Sequence, residues 1–348
     1  MHGSVALDDG DLGLVEALQR DPRAPWTTVA EVVGTNAVTA SRRWDRLRST
    51  GAAWVTGTPG LGSYHARCLA YVDVSCLPSA KTWVAHELAG DAHALSIDIT
   101  AGGRDLLLTV AAVDLPTLGR YLLERLDRVP GVTGTRARIA TRLYAEGSLW
   151  RLGVLPAAGE VAPLPPTRTI TLDTVDRELM SALGADGRAS YATLAQATGI
   201  SQPTARRRVD RLISSGAVLL RADVAAPLAG WPVSVVLSAD SPAGRLNDVA
   251  TTLGRLRQVR LCATLASTPS LIVVAWLSSL EELHRFEQGF LQKVPDVEVL
   301  DRLVVLRAVK RMGHLLDDDG RAVAMVPMDV WRDPSEPPGA EAGQSAGS

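Results

Sequence analysis

Cysteine is nearly absent: Cys68, Cys76 and Cys262 are all that 348 residues contain. They form no CxxC pair and are odd in number, which argues against a disulfide framework or a zinc cluster and fits a reducing compartment. Lysine is scarce too, since arginine supplies 33 of the 36 basic residues; with the abundant alanine, this reads as the bias of a GC-rich genome. No long apolar run exists. The longest, Leu271 to Leu277, is far short of a bilayer span. The N-terminal MHGSVALDDGD is acidic and has no apolar core, so no signal peptide is expected and a cytoplasmic location is. Two catalytic signatures are missing as well: there is no Walker sequence and no GxGxxG after a strand. His2, His65, His86, His93, His284 and His314 make no metal-binding spacing, so no metal and no cofactor is expected. Excess charge of one sign is lacking, with 36 basic residues against 38 acidic ones.

What is present is a repeat. LDDGDLGLVEAL from Leu7 and LDTVDRELMSAL from Leu172 are 165 residues apart, and at that offset 22 of the 46 positions from Leu7 to Ala52 are identical. The register persists further on, through Leu115/Leu280, Leu118/Leu283, Arg120/Arg285, Pro130/Pro295 and Arg142/Arg307. A period of this size marks a duplicated domain pair, not a solenoid. Between the copies, residues 154–168 (VLPAAGEVAPLPPTR) read as an extended Pro-rich linker. Residues 317–348 hold seven acidic residues against two arginines and read as a largely disordered acidic tail, so the neutral total hides a mildly basic body.

Each copy opens with three helical patterns. In the second copy, Leu172, Val175, Leu179 and Leu183 make a helical stripe, Tyr191–Thr198 is a short helix stopped by Gly199, and Ser201 caps a third helix that stops at Gly216. In the first copy Asn36 is the cap and Gly51 the stop. Short helix, glycine turn and longer helix are what docking in a major groove requires. The third helix of copy two carries Arg206, Arg207, Arg208 and Arg211, with Val209 and Leu212 turned inward. Ser201, Gln202, Pro203 and Thr204 would lead toward base edges, and the arginines toward phosphates or guanine. In copy one Asn36, Ala37, Val38 and Thr39 lead, with Arg42, Arg43 and Arg46 behind. A lone charged run is usually a solvated helix face; here it sits on the third helix of a helix-turn-helix, twice. After this part, each copy reads strand–helix–strand–strand–helix–strand, in copy one from Ala66 to Leu143 and in copy two from Pro232 to Val309. That βαββαβ order is the split βαβ of ferredoxin-like folds. Trp44, Trp54, Trp83, Trp231 and Trp276 fall mostly at positions expected to be core.

LDTVDRELMSAL, the DGRAS loop, GISQPTARRRVDRLISSGAV and the βαββαβ half together resemble the Lrp/AsnC (feast/famine) transcriptional regulators, here as two fused copies. The expected class is α/β (α+β), a tandem repeat of helix-turn-helix and ferredoxin-like domains. The expected domains are a helix-turn-helix domain over 1–60, a ligand-sensing and dimerising domain over 61–153, the linker, then the same pair over 169–225 and 226–316. The resemblance implies double-stranded DNA as partner, an amino acid-like effector, an intrachain pseudo-dimer or a higher homo-oligomer of it, and no membrane. In that family a G-x-x-D turn marks the effector site. Gly102-Gly103-Arg104-Asp105 fits it and Ser267-Thr268-Pro269-Ser270 does not, although glycine-rich sequence is also what any hairpin turn uses.

Two rivals stand beside this reading. Some proteins that resemble the family, including two-copy fusions, are sirohaem decarboxylases with histidine and arginine in the strand after the hairpin; DLLLTVAAV and SLIVVAWLS have no histidine. A ligand-binding module without DNA binding is the other, and the arginines of the two third helices weigh against it.

Overall fold

The computed structural model describes residues 6–60, 68–156 and 170–336. The first helix-turn-helix consists of α1 (Asp9–Arg20), α2 (Trp26–Val33) and α3 (Ala37–Ser49), followed by strand β1 (Ala53–Pro59). The βαββαβ unit, here called the sensing unit after its expected role, follows as β2 (Cys68–Cys76), α4 (Lys81–Ala89), β3 (Ala94–Ala101), β4 (Leu106–Ala112), α5 (Leu115–Arg120, running on helically to Arg128) and β5 (Val132–Ala145). Copy two repeats the order: α6 (Thr174–Ala185), α7 (Tyr191–Thr198), α8 (Gln202–Ser214) and β6 (Val218–Val224), then β7 (Val233–Asp240), α9 (Leu246–Gly254), β8 (Val259–Leu265), β9 (Leu271–Leu277), α10 (Glu282–Lys293) and β10 (Glu298–Arg311). Both sensing units are thus βαββαβ. Short strands β11 (His314–Leu316) and β12 (Ala322–Met325) close the described chain.

The helix signals act as the sequence suggests. Asn36 accepts a hydrogen bond from the Thr39 N–H, and Ser201 from the Thr204 N–H. Gly34 and Gly199 end α2 and α7 at φ of 73° and 66°, a backbone state open to glycine without strain.

The two copies pair at three places. β1 and β6 form an antiparallel ribbon centred on Thr56 and Arg221, which are equivalent residues of the two copies. β5 is long enough to pair with β2 along its first part and with β8 of the other copy along its second. β10 does the same with β7 and β3. The crossing pairs match under the 165-residue offset: Ala140 faces Leu265 as Val305 faces Thr100, and Leu143 faces Ala263 as Ala308 faces Asp98. The eight strands of the two sensing units therefore close on themselves, in the order β10-β3-β4-β2-β5-β8-β9-β7 and back to β10. Helices cover the outside. Tyr71, Leu95 and Leu107 of copy one meet Val236, Ile272 and Leu303 of copy two inside. An unpaired sheet edge exposes a row of backbone donors and acceptors, and this closure leaves none along the seams.

Two expectations are corrected. Residues 317–336 of the expected acidic tail are folded: Met328 and Val330 are buried among the inner residues, and the Val113 N–H donates to the Val330 carbonyl. Acidic composition masked an apolar set, Met325 to Trp331, that has a core to enter. Residues 337–348, and most of the expected linker at 157–168, lie outside the described residues. Trp83 is 50% exposed on α4, whereas Trp44, Trp54 and Trp276 are buried.

The ribbon meets the sensing body through a buried charged network in one half only. Asp223 of β6 is fully buried and accepts from Arg221 and, at 2.5 Å, from Arg260 of β8. Burial alone would push the Asp223 carboxyl up; the two guanidiniums outweigh it and hold the carboxyl well below its usual range. Arg260 lies against Trp150 and Trp276, 4.8 and 4.2 Å from their ring centres. Copy one has Thr58 and Leu95 at the positions of Asp223 and Arg260. Removing one member of a buried pair costs about 3–5 kcal/mol, while replacing both with neutral groups is often nearly neutral. Asp223→Asn should therefore lower denaturant stability strongly, and Asp223→Thr combined with Arg260→Leu should recover part of the loss, since Arg221 still loses its Asp223 contact. A double variant no better than the single one would remove the network from this role.

Lys310 on β10 is also fully buried, with its Nζ donating to the Asp91 carbonyl at 2.8 Å. Burial pushes its pKa down to about 7. The unfolded chain, with a lysine pKa of about 10.4, binds more protons between these two values, so stability rises with pH across that window. Lys310→Met should raise the melting temperature at pH 6–7, and the gain should shrink toward pH 10; a gain independent of pH would refute the assignment.

Candidate nucleic-acid interface

The two recognition helices, α3 and α8, are built alike from the first turn of the preceding helical pair. Asp8 caps α1 and Asp173 caps α6, each accepting from the N–H three residues on. Those N–H groups belong to Asp11 and Asp176, whose own carboxylates are buried. Arg43 donates to Asp8 and Asp11 at 2.8 and 2.9 Å, and Arg46 donates to Asp11 at 2.6 Å. Arg208 donates to Asp173 and Asp176 at 2.7 and 2.9 Å, and Arg211 donates to Asp176. The Asp11 N–H and the Arg43 guanidinium hold the Asp8 carboxyl below its usual range; for Asp173 the Arg208 guanidinium leads. Four of the arginines expected at DNA are thus tied down by the first helix, and they fix the recognition helix at its angle.

The other cations are freer. Arg42 and Arg207 are exposed and have no acidic partner among the described residues. Arg206 lies 3.9 Å from Asp210, a loose exposed pair of little energetic weight. Arg48 reaches Asp186 of the other copy at 3.4 Å. At the leading ends, Asn36 and Ser201 are used as caps, Val38 is 70% exposed, and Gln202 and Pro203 are exposed. Ala37, Thr39 and Thr204 are half-buried. The two ends are therefore unlike: an apolar Val38 stands where copy two has Pro203 beside an amide.

The spacing of the two helices is set by reciprocal contacts that the residue patterns do not reveal. Arg23 donates to the carbonyls of Gly187 and Ala189, and its equivalent Arg188 donates to those of Pro22 and Ala24. Arg23 stacks over Tyr191 at 4.9 Å and Arg188 over Trp26 at 4.2 Å, again equivalent residues. α1 packs on β6 and α6 on β1, so each ribbon strand lies against the other copy's first helix.

The turn expected to hold an effector is occupied by internal contacts. Asp105 accepts from Lys81 Nζ at 2.7 Å and from the Cys76 N–H at 2.8 Å. Burial would raise its pKa; the ammonium and the N–H outweigh that and lower it. Arg104 turns inward to Asp73 and to Asp301 of copy two, at 3.2 and 3.1 Å. Gly102 has φ 116°, and Gly103 has open space where a Cβ would stand. In copy two the acid has changed strand: Asp240, at the position of Ser75, accepts from the hydroxyl and N–H of Ser270, at the position of Asp105. The two turns differ less than their sequences imply.

A family model for the AsnC-type helix-turn-helix domain matches residues 7–48 and again 172–213. An HTH-type transcriptional regulator of Pyrococcus horikoshii is 24% identical over 152 residues, which is 43% of this chain and 96% of that protein. The proline dehydrogenase transcriptional activator of Rhizobium radiobacter is 25% identical over 150 residues, 42% of this chain and 96% of its own length. Nearly whole relatives thus fit into less than half of this chain. Among solved structures, the siroheme decarboxylase NirDL shares the fold at a TM-score of 0.57 and 12% identity, over 88% of this chain and 93% of that one. Two AsnC-type helix-turn-helix domains thus stand at equivalent places in one polypeptide, and the chain is similar to two Lrp/AsnC transcriptional regulators in tandem.

Proposed function

We propose that the chain is a sequence-specific DNA-binding regulator in which an intrachain pseudo-dimer replaces the usual pair of subunits, acting in the cytoplasm and answering to an amino acid-like metabolite. The observation that carries the reading is the pair of exposed recognition helices, braced from behind by Asp11 and Asp176 and coupled by Arg23 and Arg188. The fold shared with NirDL keeps the decarboxylase alternative in view. Against it, β4 and β9 hold no histidine and are buried at all but one position each, leaving little side chain to meet a substrate. A strong visible absorption band in the purified protein would favour that alternative.

The division of the arginines gives a sharp test. Each phosphate contact adds about 0.9 to the slope of log affinity against log salt. Arg207→Ala should flatten the slope by about that amount and leave the melting temperature unchanged. Arg208→Ala takes a donor from buried Asp176, which costs about 1–3 kcal/mol, so its main effect should be on stability. If Arg208→Ala flattens the slope and Arg207→Ala does not, the assignment is reversed.

The unlike helix ends predict an operator without inverted symmetry inside one chain's footprint. Gln202 can pair with adenine, whereas Ala37 and Val38 offer apolar contact to a thymine methyl. The cations are also placed differently, because Arg206 stands where copy one has Ser41 and Arg48 where copy two has Ile213. Selection of bound fragments with footprint measurement checks this; perfect inverted repeats at single-chain resolution would refute it.

A further inference from the structure

The copies differ most where the first helix-turn-helix rests on the second sensing unit. A cleft of about 340 Å³ opens there, the lower range of small-molecule sites. Its walls include Leu152, Trp231, Arg257, Gln258, Ser278 and Glu282. The equivalent place on the first sensing unit is filled by the chain itself: the Asp329 N–H donates to the Ala92 carbonyl, the His93 ring meets the Arg332 carbonyl at 3.0 Å, and the Val113 N–H donates to Val330. Ala92, His93 and Val113 are the counterparts of Arg257, Gln258 and Ser278. The groove that takes the C-terminal segment in one copy is open in the other.

Its chemistry is selective. Glu282 is an anion of the wall whose oxygens are already engaged: its carboxylate accepts from the Ser278 N–H and hydroxyl, both at 2.7 Å, and from Gln258 at 3.3 Å. Arg257 is the one cation of the lining. It gives a single N–H, at 3.2 Å, to the Leu152 carbonyl and lies 5.5 Å from the Trp231 ring centre. A guanidinium with most of its five donors unspent recognises a carboxylate, and the adjoining indole offers a stacking face. Behind Trp231 stand Trp150 and Trp276, edge to face. Ala66, Leu315 and Ala111 occupy the equivalent positions of these three tryptophans, so the aromatic wall exists once per chain.

The cleft also touches the DNA-binding part. The segment forming one wall is bound to α1: the Leu152 N–H donates to Gln19, and the N–H groups of Val154 and Leu155 donate to Glu16 at 2.6 and 3.0 Å. We propose that this cleft, and not the turn at Gly102–Asp105, is a binding site for a small carboxylate with a flat ring, one molecule per chain. The proposal deepens the regulator reading by giving its effector a place and a chemical class.

Calorimetry on the full chain with benzoate and L-phenylalanine as probes, and benzamide as the neutral control, tests it. At least one carboxylate probe should bind once per chain, with benzamide about tenfold weaker or more, as expected for loss of a charge-assisted hydrogen bond. Arg257→Gln and Trp231→Ala should each weaken binding by about tenfold, with near-ultraviolet dichroism showing the fold intact for Arg257→Gln. Asp105→Ala should leave it unchanged. No binding of either carboxylate at millimolar concentration, two equivalent sites, or loss of binding in Asp105→Ala but not in Arg257→Gln would overturn the proposal. Operator affinity of the same preparations is measured in parallel: DNA binding without carboxylate binding sinks the cleft alone, and carboxylate binding without DNA binding sinks the regulator reading alone.

Discussion

The structure depends on two deficiencies of the βαββαβ unit: one face of its sheet has no helices, and its edges have no partners. Burying that face requires another layer, and satisfying the edges requires other strands. The chain meets both needs with its own second copy. β5 and β10 are the instruments, each fourteen residues long and shared between its own sheet and the other copy's. Once these strands cross, the two sensing units have a fixed relation. The β1–β6 ribbon and the Arg23–Arg188 exchange then bind the helix-turn-helix units into a pair.

Within that frame the helix-turn-helix part was legible almost residue by residue. Caps, glycine stops and the 3.6-residue stripes are local signals, and Asn36, Gly34, Ser201 and Gly199 act where the patterns place them. The order of the sensing unit was legible too, because strands and helices differ in period. The ribbon was not. β1 is buried at every one of its seven positions, since β6, α6 and its own helices surround it, and a strand covered on both faces does not alternate. The C-terminal segment was hidden for the opposite reason: its charge suggested solvent, and only the tertiary structure supplies the cavity that Met328 and Val330 enter.

The arginines show where a charged run stops being informative. A helical wheel separates Val209 and Leu212 from the cations but cannot sort the cations by partner. That sorting depends on Asp176, 32 residues before Arg208, being carried to the back of α8 by the packing of α6. Arg43 and Arg46 repeat the arrangement with Asp11. The duplicated sequence held the clue, because Asp8, Asp11, Arg43 and Arg46 recur together in the second copy while Arg48 and Arg206 do not. Residues kept as a set in both halves make the scaffold; residues present in one half only are free to differ in task.

The same distinction separates the frame from its asymmetry. Crossing strands and reciprocal arginines must match in both halves, since each copy supplies what the other lacks. The Asp223–Arg260 network, the three clustered tryptophans and the folded C-terminal segment are each found once. All three lie at or beside the junctions between the paired units, where a homodimer would be obliged to repeat every substitution on both sides of its axis. Fusion removes that obligation. A charge such as Asp223 can then be buried on one side only, against a guanidinium that has no counterpart, while Thr58 and Leu95 keep the other side neutral. Two unlike third helices on one ribbon are the same freedom expressed at the surface proposed to face DNA.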